Sequence, residues 1–146
     1  MALGAPRPEA DTLHASAVAV DGRGVLILGG AGSGKSALAL ELIARGAALV
    51  ADDRTHVTRR DGALHGAAPA PIAGLIEARF VGILGPMPAR AAQLALAVDL
   101  DRTETARLPP ARTMTLLGLT LPCLRKAEGG HFPAAILLYL SRGRAE

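Results

Sequence analysis

The residues with the clearest chemical meaning lie in one glycine-rich stretch. It fits the phosphate-loop pattern of Gly, four residues and Gly-Lys-Ser, in which backbone amides and a helix N-terminus surround an anion. The lysine of this pattern reaches the β and γ phosphates, and the serine hydroxyl ligates Mg²⁺. The stretch therefore predicts a nucleotide-binding site with Mg²⁺, formed by Gly29, Gly30, Ala31, Gly32, Ser33, Gly34, Lys35, Ser36 and the adjoining Ala37.

The segments on either side of this loop have the patterns of the elements that must position it. Residues 25–28 form a short apolar run, which predicts a buried parallel strand. After the loop, Leu38 and Leu42 recur at the i, i+4 spacing of an amphipathic helix, and Gly46 suits its C-terminal end. This strand–loop–helix context favours a phosphate site over a glycine-rich turn that binds nothing.

Two further apolar runs end in acids that could bind the metal or orient the phosphate acceptor, as phosphoryl transfer requires. Residues 47–51 lead into Asp52 and Asp53, and residues 93–98 lead into Asp99. We favour Asp52 and Asp53, because they follow the strand after the loop's helix, at the sheet edge where α/β proteins bind ligands. Adjacent strand-end carboxylates point to opposite sides, one toward Mg²⁺ and one toward the acceptor hydroxyl. A turn with surface acids is the alternative, and Asp99 and Asp101 fit ordinary helix or turn acids better.

The rest of the chain contains more strand and hairpin signals than helix signals. Asp21-Gly22 and Asp61-Gly62 each follow an alternating segment and predict tight hairpin turns. The fold class predicted is α/β with a mixed, hairpin-containing central sheet, in one domain over residues 1–146. Strands are predicted at residues 14–20, 55–60, 63–65 and 75–80, strand and turn at 113–121, a helix at 133–140, irregular segments at 81–88 and 125–130, and a loose lead-in at 1–11.

Composition limits the function classes. Half of the residues are hydrophobic and only 20% are charged, which excludes a disordered chain. Basic residues occur at most in pairs, so nucleic acid is not a predicted partner. A single cysteine allows no intrachain disulfide and suits a reducing, cytoplasmic setting, and no apolar run is long enough to cross a bilayer.

Three segments around the loop resemble the C-terminal catalytic domain of HPr kinase/phosphorylase. They are His14 before the loop, Ala51-Asp52-Asp53 after its helix, and Glu77-Ala78-Arg79. The resemblance covers residues 13–127 and corresponds to a short form without the N-terminal domain. It implies a phosphate-loop fold of the HPr kinase/PEP carboxykinase type. It also implies transfer of the γ-phosphoryl group of ATP to a serine of the phosphocarrier HPr, and removal of that group by inorganic phosphate with formation of pyrophosphate, in the regulation of carbohydrate metabolism.

The resemblance also implies a role for each matching residue. Asp52 is the expected general base, with His14 assisting it, and Lys35 holds the phosphates. Ser36 with Asp53 or Glu77 is expected to hold Mg²⁺, and Arg79 to stabilise phosphate charge or a subunit contact. The family's assemblies are homo-oligomers, typically hexamers.

This sequence departs from the family pattern in three places. Ala37 stands where the family usually has Glu, Phe80 stands where it usually has Gly, and residues 125–130 match the family's later Pro-Gly-Arg-Asn segment poorly. The alternatives are a catalytically weak ATP-binding regulatory module acting through partner contacts, and a small-molecule kinase. The small-molecule kinase is disfavoured because no Arg-rich lid segment follows the core.

Overall fold

The structure, a computed structural model, describes residues 9–145. Within this range it contains a mixed sheet, two α-helices and a short strand hairpin. Most of the predicted N-terminal lead-in, residues 1–8, lies outside the described residues, and the first strand already begins at Ala10. The strands are β1 Ala10–Val20, β2 Arg23–Leu28, β3 Ala48–Ala51, β4 Arg54–Arg60, β5 Ala63–Ala67, β6 Ile76–Ala78, β7 Gly82–Leu84, β8 Ala92–Thr103, β9 Thr113–Leu116 and β10 Leu119–Lys126; the helices are α1 Lys35–Ala44 and α2 Phe132–Arg142.

The main sheet has eight strands in the order β2-β1-β4-β5-β8-β10-β9, with β3 paired to β1. Strand β2 pairs antiparallel with β1 and parallel with β8, while β8 pairs antiparallel with β5. The predicted α/β fold with a mixed, hairpin-containing sheet is therefore confirmed. Because β2 joins both β1 and β8, strands β1, β2, β4, β5 and β8 close into a ring.

Two apolar clusters stabilise this arrangement, one on each face of the strands. Side chains alternate along a strand, so the neighbours Leu26 and Ile27 belong to different clusters. The Ile27 cluster is covered by both helices, which contribute Leu42 and Ile136. The Leu26 cluster draws on all five strands of the ring and fills its interior. Burial on both faces accounts for the uninterrupted apolar sequence of residues 25–28.

The hairpin of β6 and β7 differs from the sequence prediction. The strand expected at residues 75–80 ends at Ala78, because Phe80 has a positive φ of 68° and turns the chain. Arg79 therefore lies in the turn and does not share a strand face with Glu77. The segment 81–88, expected to be irregular, contains β7, which pairs antiparallel with β6 from Ala78↔Gly82 to Ile76↔Leu84.

A second difference lies at the end of β10. Residues 125–130 were expected to form a polar loop, but β10 continues through Lys126. Arg125 pairs with Asp99 and Lys126 with Thr103, across a register shift between them. Pairing with the long β8 thus overrides the polar local sequence. The helices of residues 9–145, with 10 and 11 residues, fall short of the length that a bilayer crossing requires.

Candidate functional site

The phosphate loop begins directly after β2 and ends in the first turn of α1. Gly32 and Gly34 have φ values of 77° and 100°, and no atom lies within 4 Å of a Cβ placed on either. Left-handed backbone at these two positions bends the loop back over the start of the helix. The amide of Ser33 donates to the Gly30 carbonyl at 3.1 Å, which closes the bend.

The side chain of Lys35 folds over this loop. Its Nζ donates to the carbonyl oxygens of Gly29 at 2.8 Å and Gly30 at 3.1 Å. The ammonium group is therefore held beside the loop backbone, with its third hydrogen left for another acceptor. Together with the N-terminus of α1, it gives this end of the sheet a positive potential suited to an anion.

Gly29 and Gly30 differ in how closely the loop packs around them. A Cβ on Gly29 would lie 2.8 Å from Cβ of Ser33 and 3.2 Å from Cβ of Leu100. A Cβ on Gly30 would come no nearer than 3.6 Å to Asp101. Ser33 Oγ itself is buried and has no hydrogen-bond partner among the described residues. An unpaired buried hydroxyl inside the phosphate loop fits a site built for a polar ligand.

Asp52 is the acid that contacts the phosphate loop. Its side chain is only 7% exposed, and Oδ1 accepts hydrogen bonds from Ser36 Oγ at 2.6 Å and Ser16 Oγ at 2.8 Å. Oδ2 accepts the backbone N–H of Glu77 at 3.0 Å. The phosphate loop, strand β1 and the β6–β7 hairpin thus all meet at one carboxylate.

The other predicted site residues lie around this centre with exposed side chains. His14 is on β1, two residues before Ser16 and so on the same strand face. Asp53 adopts a positive φ of 66° at the bend between β3 and β4. Glu77 contributes its backbone amide to Asp52, and Arg79 lies in the hairpin turn. The structure thus joins Ser36 to Asp52, while the side chains of His14, Asp53, Glu77 and Arg79 are exposed to solvent.

Two residues in contact with the site were not selected from the sequence. Ser16 was not considered. Asp101, like Asp99, was interpreted as an ordinary helix or turn acid, but both lie on strand β8. Asp101 Oδ1 accepts the Gly30 amide at 2.9 Å, because Leu28 pairs with Asp99 on the neighbouring parallel strand. The sequence signal for this contact would have been the two apolar runs, residues 25–28 and 93–98, had they been paired side by side.

Oxygen ligands are available for a hard metal ion. No group of three or more His, Cys, Asp or Glu side chains able to hold a metal occurs within residues 9–145. Mg²⁺ needs no such cage, because it is commonly bound by one or two carboxylates together with substrate phosphates and water. The hydroxyl of Ser36 beside a carboxylate has the donor chemistry that this ion prefers.

The pKa is shifted at Glu104 and Arg112, which pair with each other after β8, and at Cys123 on β10. The Arg112 guanidinium donates to Glu104 at 2.8 Å and lowers the pKa of that carboxyl to about 2. Burial raises the pKa of the Cys123 thiol. A raised thiol pKa disfavours the reactive thiolate, so Cys123 has a structural environment and not that of a nucleophile.

Comparison with known proteins agrees with the geometry. A family model described as the HPr Serine kinase C-terminal domain matches residues 8–101. The chain belongs to this family. Among curated relatives, the HPr kinase/phosphorylase of Clostridium kluyveri is 50% identical over 72 residues, which is 49% of this chain and 23% of that protein. The HPr kinase/phosphorylase of Aromatoleum aromaticum is 41% identical over 128 residues, which is 78% of this chain and 40% of that protein.

The fold of this HPr kinase family member is also found in a solved structure. The chain is similar to the Hpr(Ser) kinase/phosphatase from Coxiella burnetii, with a TM-score of 0.74 and 27% identity, covering 90% of this chain and 88% of that one. The chain spans less than half the length of the two curated relatives above. The match to the solved structure extends beyond the segment matched by the family model.

Proposed function

We propose that this chain is an ATP-dependent protein kinase that phosphorylates a serine of HPr and thereby takes part in the regulation of carbohydrate metabolism. Membership of the HPr kinase family supports this function. The observation that carries it is the 2.6 Å hydrogen bond between Ser36 and Asp52, which joins the phosphate loop to a buried carboxylate. A kinase needs a bound triphosphate and an acid within reach of the same place.

In this proposal Asp52 is the general base that accepts the proton of the substrate serine. An ionised carboxylate offers about four acceptor positions. Oδ1 accepts two hydroxyl groups and Oδ2 accepts one amide, so one position on Oδ2 is left for the incoming hydroxyl. Lys35 holds the phosphates, and His14, on the strand face of Ser16, assists beside the base.

Ser36, with Asp53 or Glu77, is proposed to hold Mg²⁺. When bound, this ion neutralises phosphate charge as the γ-phosphoryl group is transferred. Arg79 is proposed to stabilise phosphate charge or a contact between subunits. Its exposed position in the β6–β7 turn is compatible with either role.

Three further points belong to the same proposal. The site is proposed to work in reverse as well, with inorganic phosphate attacking phosphoserine to give pyrophosphate. Residues 1–146 are proposed to act as a single catalytic domain, and the active form is proposed to be a homo-oligomer. Sedimentation or mass photometry of the purified chain tests the last point.

The decisive experiment incubates the purified chain with Mg-ATP and HPr from the same organism and measures phosphoserine by mass spectrometry. Asp52→Asn should lower the transfer rate by about 10²-fold to 10⁴-fold while ATP still binds, because it removes proton acceptance but keeps the shape. Asp61→Asn is the matched control, since Asp61 lies in the β4–β5 turn with a φ of 54° that Asn also tolerates. HPr that stays unmodified at saturating Mg-ATP contradicts the proposal. Adding phosphate to phosphorylated HPr tests the reverse reaction.

A further inference from the structure

Ser16, on strand β1, contacts Asp52, the candidate base. The residue is fully buried on β1, and its hydroxyl donates to Asp52 Oδ1 at 2.8 Å. Ser16 Oγ also accepts a hydrogen bond from the backbone amide of Asp53 at 3.2 Å. One hydroxyl group therefore holds both the carboxylate and the next peptide unit.

This contact follows from the strand register. Ala17 pairs with Ala51 and His14 with Arg54, so Ser16 lies directly opposite the first acid. The regular pairing is interrupted there because Asp53 has a φ of 66°, a conformation that costs free energy in any residue except glycine. The hydrogen bond from the Asp53 amide to Ser16 stabilises this bend at the point where β3 passes into β4.

The two hydroxyl groups that donate to Asp52 Oδ1 belong to different parts of the fold. Ser36 belongs to the phosphate loop, and under the proposed function its oxygen is required by Mg²⁺. Ser16 belongs to a paired strand of the ring and contacts no part of that loop through its hydrogen bonds. Among the side chains of residues 9–145 that donate to Oδ1, Ser16 is thus the one that lies outside the phosphate loop.

We propose that Ser16 is the positioning residue of Asp52. It keeps Oδ1 turned toward β1 throughout the reaction, so that the free acceptor position on Oδ2 faces the substrate serine. This inference rests on the proposed function, since it assigns the base that Ser16 orients. It adds a residue that acts only through Asp52, without touching nucleotide or acceptor.

The test compares Ser16→Ala with Thr55→Val. Thr55 is a matched control because it is equally buried and its hydroxyl donates to the Ala15 carbonyl at 2.8 Å, away from Asp52. For Ser16→Ala, kcat for HPr phosphorylation should fall by about 10-fold to 100-fold, because a misplaced group loses reaction geometry. The KM for ATP should change by less than about threefold, since uniform binding is unaffected. Ser16→Thr, which retains the hydroxyl, should restore most of kcat.

Thr55→Val should lower the melting temperature comparably but leave kcat near the wild-type value. A Ser16→Ala enzyme with wild-type kcat would overturn the proposal, and so would a Thr55→Val enzyme with the same loss. The ATPase rate without HPr is measured in parallel. If wild type hydrolyses ATP but leaves HPr unmodified, the proposed substrate fails and Ser16 is judged on the ATPase kcat.

A double-mutant cycle on thermal stability tests the contact between Ser16 and Asp52 even if the chain shows no catalytic turnover. Because Ser16 and Asp52 share a buried hydrogen bond, which either truncation removes, the losses of Tm in Ser16→Ala and Asp52→Ala should be less than additive in the double variant. The pair Thr55→Val and Asp52→Ala should be additive. Additive losses in the Ser16 pair would show that the two side chains are not coupled, and would remove the basis of the inference.

Discussion

Replacing Phe80 by glycine should stabilise this protein, although the substitution removes a large apolar side chain. Phe80 has a φ of 68° and is fully exposed, so its ring contributes no burial. Left-handed backbone costs a non-glycine residue about 1–2 kcal/mol. Glycine avoids that cost but adds about 0.4–1 kcal/mol of unfolded-chain entropy. The net expectation is a gain of about 1 kcal/mol, which for a domain of this size raises Tm by roughly 3 °C.

Thermal unfolding of three variants tests this reasoning. Phe80→Ala keeps the strained backbone and should leave the free energy of unfolding within about 0.5 kcal/mol of wild type. Val81→Gly is the matched control, because Val81 is 76% exposed but has no positive φ; it should destabilise by about 0.5–1 kcal/mol. A loss of Tm in Phe80→Gly, or an equal gain in Phe80→Ala, would refute the argument from strain. Measurements at two protein concentrations separate this effect from any self-association.

The remaining predictions concern packing, pH and thiol reactivity. Gly29→Ala should distort the loop and weaken nucleotide binding by about 5-fold to 100-fold, measured by calorimetry, because overpacking costs about 1–3 kcal/mol. Gly30→Ala, whose Cβ has room, should bind within about threefold of wild type. Glu104, bonded to Arg112, has a lowered pKa of about 2, so its contribution to stability is fully present above pH 4.5 and is lost as pH falls toward 2. The Tm difference between wild type and Glu104→Gln should shrink over that interval, and a constant difference would contradict the assignment. Cys123, whose thiol pKa is raised by burial, should react with iodoacetamide at pH 8 more slowly than a free cysteine peptide, and equal rates would contradict its burial.

The phosphate loop was predictable because its signals are local. The apolar run before Gly29, the fixed glycines and the i, i+4 leucines all lie within a short stretch, and β2, the loop and α1 follow them closely. The turns at Asp21 and Asp61 are local in the same sense, and they indicated a mixed sheet. The closed ring was not predictable, since it depends on β8 pairing with β2 and β5, which are distant in sequence.

The parts of the candidate site that escaped prediction depend on register and on strained backbone. Ser16 reads as one more small residue in a strand, and only the pairing of β1 with β3 and β4 sets it opposite Asp52. The Phe80 turn was missed because a bulky aromatic disfavours a positive φ, so the sequence indicated a continuous strand there. In both cases tertiary pairing determines the local conformation.

The closure of the strand ring affects how ligand binding can move the molecule. Strand β2 has hydrogen-bonded neighbours on both sides, so the peptide chain entering the phosphate loop cannot slide or tilt without breaking a ladder. The glycines beyond Leu28 have no such pairing, and the β6–β7 hairpin belongs to a separate two-stranded sheet. The hairpin is joined to Asp52 by the Glu77 amide, so displacement of the hairpin would be transmitted to the carboxylate. The doubly paired strand thus supplies a stationary reference for the loop that follows it.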